Sequence, residues 1–129
     1  VVQLAGHVEV EDYVIFGGAC AVQQFSRIGA HAYIGGGSLV RKDVPPFVKA
    51  AREPLSYSGI NSVGLRRRGF TNEQINEIQE MYRYVYLRGL NNADAISAIE
   101  GKLPVSAERD QVVDFIRNSE RGIMRGSGE

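Results

Sequence analysis

A six-residue period of large apolar side chains runs through the first third of this 129-residue chain. Its seven members are Leu4, Val10, Phe16, Val22, Ile28, Ile34 and Val40. A period of six matches neither the two-residue alternation of a half-buried strand nor the 3.6-residue period of a helix. It is typical of a parallel β-helix, in which very short strands each cover part of a core and stacking completes that core. We therefore predict a parallel β-helix built from hexads.

Smaller residues recur in the same register and should share the interior. They stand four positions after each large residue, at Val8, Val14, Cys20, Ser26, Ala32 and Ser38. The repeat is expected to stop at Pro45-Pro46, because proline lacks the backbone N–H that a stacked strand donates. We accordingly predict hexapeptide coils over residues 1–47 and an extended connector over residues 48–65.

The remaining residues, 66–129, have the pattern of a small α-helical domain. Thr71 and Gln74 have the spacing of a capping box, and Gly89 is a stop signal for the helix that they begin. That helix should bury one apolar stripe. Its members are Ile75, Ile78, Met81, Tyr82, Val85 and Tyr86. Two further helices are predicted from their start and stop residues, namely Asn91 or Asn92, Gly101 and Ser106.

The composition excludes several classes of protein. Fifteen basic and fifteen acidic residues give no net charge, so no overall field attracts nucleic acid or an anionic membrane. No apolar run approaches the ~18 residues of a membrane-spanning helix. The single cysteine, Cys20, cannot form an internal disulfide, which fits a reducing compartment. We predict a soluble, cytoplasmic protein.

The chain begins in mid-register at Val1. An uncapped coil would leave an apolar end in water, and repeat proteins cover such ends with further coils or caps. We therefore expect the chain to be part of a longer one with further coils before Val1.

The run Arg66-Arg67-Arg68 is the first candidate for binding chemistry. No acidic residue lies between Pro54 and Asn72 to neutralise it. Clustered guanidinium groups bind phosphate oxygens bidentately, so the run could hold a phosphorylated ligand or carrier. The alternative is a solvated basic turn, since three adjacent arginines cannot all face one way.

His7 and His31 both take the first place of their hexads, which puts them on the outer surface of the coils. A histidine there could act as a general base, donate to a sugar hydroxyl or bind a metal, although two histidines without a third ligand are a weak metal signal. A partly exposed histidine without a chemical role is the alternative, above all for His31. Gln23 and Gln24 place amides outward, which suits a nucleotide sugar.

The glycines at 35–37 lie together in the sequence HAYIGGGSLV. One glycine is enough for a tight corner. Several together also leave a backbone groove against which an acyl chain or pantetheine could lie. Both interpretations remain open from the residues alone.

Six motifs together resemble the C-terminal half of the acyl-ACP:UDP-N-acetylglucosamine O-acyltransferases, a family that carries out the first step of lipid A synthesis. They are Ala5-Gly6-His7-Val8, Gly17-Gly18-x-x-Ala21-Val22-x-Gln24-Phe25, Ile28-Gly29-Ala30-His31, Gly35-Gly36, Asp43-Val44-Pro45-Pro46 and Gly64-Leu65-x-Arg67-Arg68-Gly69-Phe70. Generic hexapeptide acetyltransferases share the repeat and the D-V-P-P exit. They lack the A-V-x-Q-F and G-L-x-R-R-G-F elements, which carry the specificity.

The resemblance implies a homotrimer of left-handed parallel β-helices with three hexads per coil and active sites between subunits. Its substrates would be UDP-N-acetylglucosamine and 3-hydroxyacyl-ACP, with no cofactor and no metal. His7 resembles the histidine that contacts the sugar nucleotide, and Gln24 resembles the glutamine near its phosphates and sugar. Gly36 is similar to the glycine that measures acyl length, which implies a long acyl chain. The polar residues facing UDP and the carrier are matched by Asn61, Arg67 and Arg68.

The chain departs from the family pattern at two places. The family's catalytic histidine, the general base, precedes the A-G-H-V element, so we expect it upstream of Val1 and predict that the chain alone is inactive. Val63 stands where an acidic residue is expected. Three alternatives stay open: an acetyl-CoA-dependent hexapeptide acetyltransferase, a non-catalytic module for trimerisation or carrier binding, and a metal-dependent carbonic anhydrase of the same fold.

Overall fold

A computed structural model describes residues 2–126; Val1 and the last three residues of the predicted helical domain lie outside this range. Seven strands of two residues each carry the large residues of the six-residue period. They are β1 (Gln3–Leu4), β2 (Glu9–Val10), β3 (Ile15–Phe16), β4 (Ala21–Val22), β5 (Arg27–Ile28), β6 (Tyr33–Ile34) and β7 (Leu39–Val40). Two longer strands follow, β8 (Val48–Ala51) and β9 (Ser56–Ile60).

Strands β1 to β4 each pair in parallel with the strand three hexads later. Gln3 of β1 is level with Ala21 of β4, which is level with Leu39 of β7. Strands β2 and β5 form a second stack, and β3 and β6 begin a third. Three hexads therefore make one coil, and the predicted parallel stacking of the hexads is confirmed.

The interior is filled by the large and small residues of the hexad pattern. Ile28, Ile34 and Val40 are fully buried, and the small residues Cys20, Ser26, Ala32 and Ser38 are buried beside them. Leu4 and Val10 are exposed, because within the described chain only one further coil packs against them. The burial predicted for Cys20 is confirmed, and the carbonyls of Gly17 and Gly35 both lie within reach of its single S–H, at 3.1 Å and 3.2 Å from the sulfur.

The corners between strands use left-handed backbone at non-glycine residues. His7, Tyr13, Ala19, Phe25 and His31 stand six residues apart with φ between 57° and 68°. Side chains at equivalent corners of successive coils stack: the rings of His7 and Phe25 are 5.2 Å apart, and those of Tyr13 and His31 are 4.9 Å apart. The outer face of the coils therefore carries columns of stacked aromatic rings.

The prediction that Pro45-Pro46 ends the stack is wrong. Strand β8 pairs in parallel with β6 after the prolines, with Lys49 level with Tyr33. The stack continues because the residues flanking the prolines provide the donors: the N–H groups of Val44 and Phe47 bond to carbonyls of the preceding coil, 2.9 Å in each case. Residues 48–65, predicted as an extended connector, hold β8, its antiparallel partner β9 and the start of a helix.

Four helices make up the rest of the described chain. They are α1 (Ser62–Arg67), α2 (Asn72–Tyr86), α3 (Asn92–Lys102) and α4 (Ala107–Arg117). Helix α1 begins before residue 66, the predicted start of the helical domain. The capping box of Thr71 and Gln74 is confirmed at the start of α2, as are the predicted caps Asn91 and Ser106. Gly101 does not stop α3, which continues to Lys102.

After α4 the chain returns to the coils, a contact that the sequence did not predict. The Met124 N–H donates to the carbonyl of Asp43, 2.8 Å, and the Asp43 N–H donates to the carbonyl of Gly122, 3.0 Å. Asp43 is 1% exposed, and its carboxylate accepts from the Arg27 N–H at 2.8 Å and from the Ser119 hydroxyl at 2.6 Å. Asp43 therefore joins the coils to the end of the helical region.

Replacing Asp43 with alanine should lower the free energy of unfolding by about 2 kcal/mol, because two half-buried donors lose their buried acceptor. Asp43→Asn is the matched control. Its oxygen can still accept from the Arg27 N–H and its NH₂ can donate to the Ser119 hydroxyl, so it should lose much less. Urea unfolding followed by circular dichroism measures both, and equal losses would contradict the role of these two hydrogen bonds.

Candidate functional site

A first cleft, the His7 cleft, lies where the coils meet the segment after α4. It encloses ≈ 530 Å³ and is lined by His7, Glu9, Phe25, Arg27, Asp43, Asn118, Glu120 and Arg121. The exposed imidazole of His7 stacks on Phe25. The Arg27 guanidinium forms an ion pair with the Glu9 carboxylate at 3.1 Å, and its central carbon lies 4.5 Å from the centre of the Phe115 ring. The cleft thus offers an aromatic wall and an imidazole beside charges of both signs.

Arg121 closes one side of this cleft and was not predicted as a site residue. Its guanidinium donates to the carbonyl of Gln24 at 3.0 Å and to the side-chain oxygen of Gln23 at 3.0 Å. It also donates to the carbonyl of Arg41, 3.2 Å. Of the two predicted amides, the Gln23 side chain is therefore already hydrogen-bonded to Arg121. The exposed Gln24 side chain makes no hydrogen bond within the described residues and stays accessible to a ligand.

A second cleft, the Arg67 cleft, lies between the outer face of β3, β6 and β8 and the start of α1. It encloses ≈ 220 Å³ and is lined by Ile15, Tyr33, Lys49, Asn61, Val63, Gly64 and Arg67. Two of these residues are cationic and none is acidic. Lys49 and Arg67 are both exposed, and neither forms an ion pair with another described residue. This combination favours an anionic ligand.

The three adjacent arginines point in different directions, as expected for consecutive residues near the end of a helix. Arg66 reaches Asn72 at 3.4 Å, and Arg67 lines the cleft just described. Arg68 instead turns toward His31, with 3.2 Å between its Nη1 and the histidine Nδ1. The run is thus neither a single phosphate clamp nor wholly a solvated turn.

Asn61, a predicted ligand contact, is buried and already has structural partners. Its side-chain NH₂ donates to the carbonyl of His31 at 3.0 Å, and its oxygen caps α1 by accepting from the Gly64 N–H at 3.3 Å. A β-carbon at Gly64 would lie 2.5 Å from the Asn61 nitrogen, so the glycine admits this cap. Asn61 positions α1, and its contact with a ligand stays a prediction.

The sequence left two interpretations open for the glycines at 35–37, a tight corner and a backbone groove. Different glycines of the three fit each one. Gly37 has φ +74° and makes the corner. Gly36 has no such backbone requirement. A β-carbon there would make only ordinary contacts, the nearest at 3.4 Å from the Gly18 carbonyl oxygen. Gly36 is exposed, which leaves an open backbone surface where the acyl groove is predicted.

His31 has a weaker affinity for protons than an ordinary histidine. Burial of the ring, followed by the charge of Arg68, lowers the pKa of His31 below 6.5, and Asp12 opposes this more weakly. Unfolded chains take up a proton on this histidine near pH 6.5, whereas the folded chain resists doing so. The folded state therefore loses stability as the pH falls from about 6.5 through the folded-state pKa.

His31→Phe should reduce this loss of stability on acidification. We expect the free energy of unfolding to fall less between about pH 7.5 and about pH 5.5 in the variant than in the unchanged chain, because phenylalanine does not titrate. Phe25 and Phe47 already occupy corners with φ 68° and 73°, so the backbone accepts the change. Urea unfolding at the two pH values measures the difference, and an identical pH dependence would exclude His31 as the cause.

Within one chain the structure brings together only some of the predicted site residues. Asn61 and Arg67 share one cleft, and His7 lines the other. The sequence did not single out Lys49, although the alternating burial of β8 would have placed it on the outer face. Among residues 2–126, no three His, Cys, Asp or Glu side chains converge to hold a metal ion. None of the described helices has the length and apolar character needed to cross a membrane.

Comparisons with known proteins agree along nearly the whole chain. A family model described as UDP N-acetylglucosamine O-acyltransferase, domain 2, matches residues 43–124. The acyl-(acyl-carrier-protein) UDP-N-acetylglucosamine O-acyltransferase of Halorhodospira halophila is 48% identical over 122 residues, which cover 95% of this chain and 47% of that protein. The corresponding protein of Thiobacillus denitrificans is 42% identical over 122 residues with the same coverage. The chain spans about half the length of the curated relatives it matches.

Solved structures show the same likeness. The UDP-N-acetylglucosamine acyltransferase of Bacteroides fragilis matches 96% of this chain and 49% of its own, with 48% identity and a TM-score of 0.95. The Arabidopsis enzyme matches 96% of this chain and 46% of its own, with 35% identity and a TM-score of 0.89. The coils and the helices therefore both follow the arrangement found in these acyltransferases.

Proposed function

The chain belongs to the UDP-N-acetylglucosamine O-acyltransferase family, and on this premise we propose that it is the C-terminal portion of an enzyme of lipid A synthesis. The enzyme would move a 3-hydroxyacyl chain from acyl carrier protein to the 3-hydroxyl of UDP-N-acetylglucosamine, the first step of that synthesis. The observation that carries the proposal is the likeness to such acyltransferases over both the coils and the helices. An acetyl-CoA-dependent acetyltransferase is not favoured, because the matched relatives are named for acyl carrier protein.

The proposed assembly is a cytoplasmic homotrimer of left-handed β-helices. Two features support it. Left-handed corner residues recur strictly every six residues from His7 to His31, so every corner turns in the same manner. Large apolar side chains also remain exposed on the outer face of the coils, among them Tyr13 at 63% and Phe25 at 55%. Two neighbouring copies would cover these side chains and form the walls of the active sites.

In the proposed reaction a general base removes the proton from the sugar 3-hydroxyl. The oxygen attacks the thioester carbon, backbone donors stabilise the oxyanion, and the C–S bond then breaks to release the carrier thiol. We propose that the base lies on a coil outside this chain. His31 supports this view, because its Nδ1 already faces the guanidinium of Arg68.

The proposed role of this chain is to bind both substrates. His7 and Gln24 would contact the sugar nucleotide along the His7 cleft, and Gly36 would leave room for a long acyl chain. Asn61, Arg67 and Arg68 would face the nucleotide and the carrier protein. The two unpaired cations of the Arg67 cleft support a ligand with phosphate groups, and Val63 makes that cleft less acidic than the family pattern.

Arg67→Ala should weaken the binding of UDP-N-acetylglucosamine about tenfold or more, since a guanidinium–phosphate contact contributes at least ~1.4 kcal/mol. Arg66→Ala is the matched control, because the neighbouring Arg66 points toward Asn72 instead. Isothermal titration calorimetry with each variant measures the affinity. Equal affinities for the two variants would remove the nucleotide assignment of the Arg67 cleft.

A further inference from the structure

His31 is held in a fixed orientation by three aromatic rings. Its imidazole stacks against Tyr13 at 4.9 Å and 16° and against Phe47 at 5.7 Å and 19°. Phe70 meets it edge-on at 5.1 Å. A ring enclosed on both faces cannot turn freely, so the direction of its Nδ1 is set by the fold.

That Nδ1 points at a residue of the proposed nucleotide site. The Nη1 of Arg68 lies 3.2 Å from it, and the Arg68 guanidinium also lies over the ring of Tyr13 at 5.5 Å. Arginine has donors and no acceptor, so the histidine nitrogen must be the unprotonated acceptor in this hydrogen bond. Two contacts, one to the imidazole and one to the phenol ring, therefore fix the Arg68 guanidinium.

The same corner also fixes the other end of α1. The side chain of Asn61, which caps α1, donates to the carbonyl of His31 at 3.0 Å. The short helix is thus attached to His31 through Asn61 at its beginning and through Arg68 just after its end. His31 thus contacts Asn61 and Arg68 directly, and Arg67 lies on the helix between these two residues. These three are the residues proposed to contact the nucleotide and the carrier protein.

We infer that His31 is a positioning residue for Arg68 in the proposed nucleotide site. A free arginine side chain loses rotamer entropy when it binds a ligand, and a guanidinium that is already held in place loses less. The neutral imidazole accepts one N–H of Arg68 and leaves the other donors for the ligand's phosphates. This role rests on the proposed function, because it presumes that Arg68 contacts the nucleotide.

Two variants of His31 distinguish the contribution of its hydrogen-bond acceptor from that of its stacked ring. His31→Phe keeps the aromatic stack and loses the acceptor. His31→Asn loses the stack, but its side-chain oxygen takes nearly the place of Nδ1, and asparagine tolerates the left-handed backbone found at this corner (φ 63°).

A first measurement tests the contact itself. The chain has only two histidines, so the imidazole C–H signals of His31 and His7 are readily separated in an NMR titration. Arg68 and Asp12 are the charged groups that act on His31, beside the ring of Tyr13. Arg68→Ala should therefore raise the pKa of His31, whereas Arg66→Ala should leave it unchanged. An unchanged pKa of His31 in Arg68→Ala would overturn the inference.

A second measurement tests the role, with UDP as the calorimetric probe of the full chain. Arg68→Ala and His31→Phe should each weaken UDP binding about tenfold. His31→Asn, which keeps the acceptor, should bind UDP within about threefold of the unchanged chain. The double variant of His31→Phe with Arg68→Ala should bind UDP no more weakly than Arg68→Ala alone, because the two residues act through one contact. If Arg68→Ala weakens binding and His31→Phe does not, the positioning role is wrong and the proposed function stands. If Arg68→Ala binds UDP normally, the nucleotide role proposed for Arg68 fails, and the inference fails with it.

Discussion

Replacing Gly17 with alanine should lower the free energy of unfolding by about 3 kcal/mol or more, the upper range for overpacked interiors. A β-carbon at Gly17 would lie 2.4 Å from the backbone nitrogen of Gly36 and 2.6 Å from its α-carbon. Neither backbone can move aside easily. Gly17 donates to the Ile34 carbonyl at 2.7 Å, and Gly37 donates to the Gly18 carbonyl at 2.8 Å. Urea unfolding at a fixed protein concentration measures the loss.

The neighbouring residue supplies the control for this prediction. A β-carbon at Gly18 would meet no atom within 4 Å, so Gly18→Ala should change the free energy of unfolding by no more than about 0.5 kcal/mol. The two substitutions are chemically identical and adjacent in the chain. If both variants unfold at the same urea concentration, successive corners do not stack as closely as described.

Gly36→Met should shift acyl selectivity about 100-fold toward short chains. The assay uses a hybrid enzyme in which residues 2–126 of this chain replace the matching half of the Halorhodospira halophila acyltransferase. A methionine at Gly36 fits the fold, because its β-carbon would make only ordinary contacts, but it would project onto the proposed acyl groove. Excluding about four methylenes, at ~0.8 kcal/mol each, accounts for a change of this size. Competing 3-hydroxyacyl-ACP substrates of about 14 and about 10 carbons report the ratio.

A methionine placed elsewhere in the chain serves as the control. It distinguishes a block of the proposed acyl groove from a general effect of the substitution on the enzyme. Gly101 lies in α3, and a β-carbon there would have no atom within 4 Å. Gly101→Met should therefore leave the acyl preference of the hybrid enzyme unchanged. A Gly36→Met hybrid that keeps its preference for the long chain would remove Gly36 from the proposed acyl groove.

The six-residue period predicted the coils because each hexad places one large apolar residue at the same inward position, and this regularity is visible in the sequence. The same reasoning failed at Pro45-Pro46, because the donors that continue the stack belong to their neighbours Val44 and Phe47. It also missed the return of the chain to Asp43 after α4. Contacts between residues distant in sequence leave no periodic pattern, so the sequence alone could not supply them.

The candidate site follows the same division. The sequence identified Arg67 and Gly36, whose exposure on the coil and helix surface fits their proposed roles. It left the role of His31 open and did not predict its contact with Arg68, because the ring stack and the approach of Arg68 depend on how α1 packs against a coil corner. Asn61 was predicted as a ligand contact, which stays a prediction, and the sequence did not predict that its side chain caps α1.

Acyl transfer by the hybrid enzyme tests the proposed function most directly. Purified hybrid incubated with UDP-N-acetylglucosamine and 3-hydroxyacyl-ACP should release free carrier thiol and form the 3-O-acylated sugar nucleotide, whereas the 129-residue chain alone should form none. Product from the chain alone would contradict the proposal that the general base lies outside it. A hybrid that folds, as judged by circular dichroism, but forms no product would contradict the assignment of this chain as the substrate-binding half of such an acyltransferase.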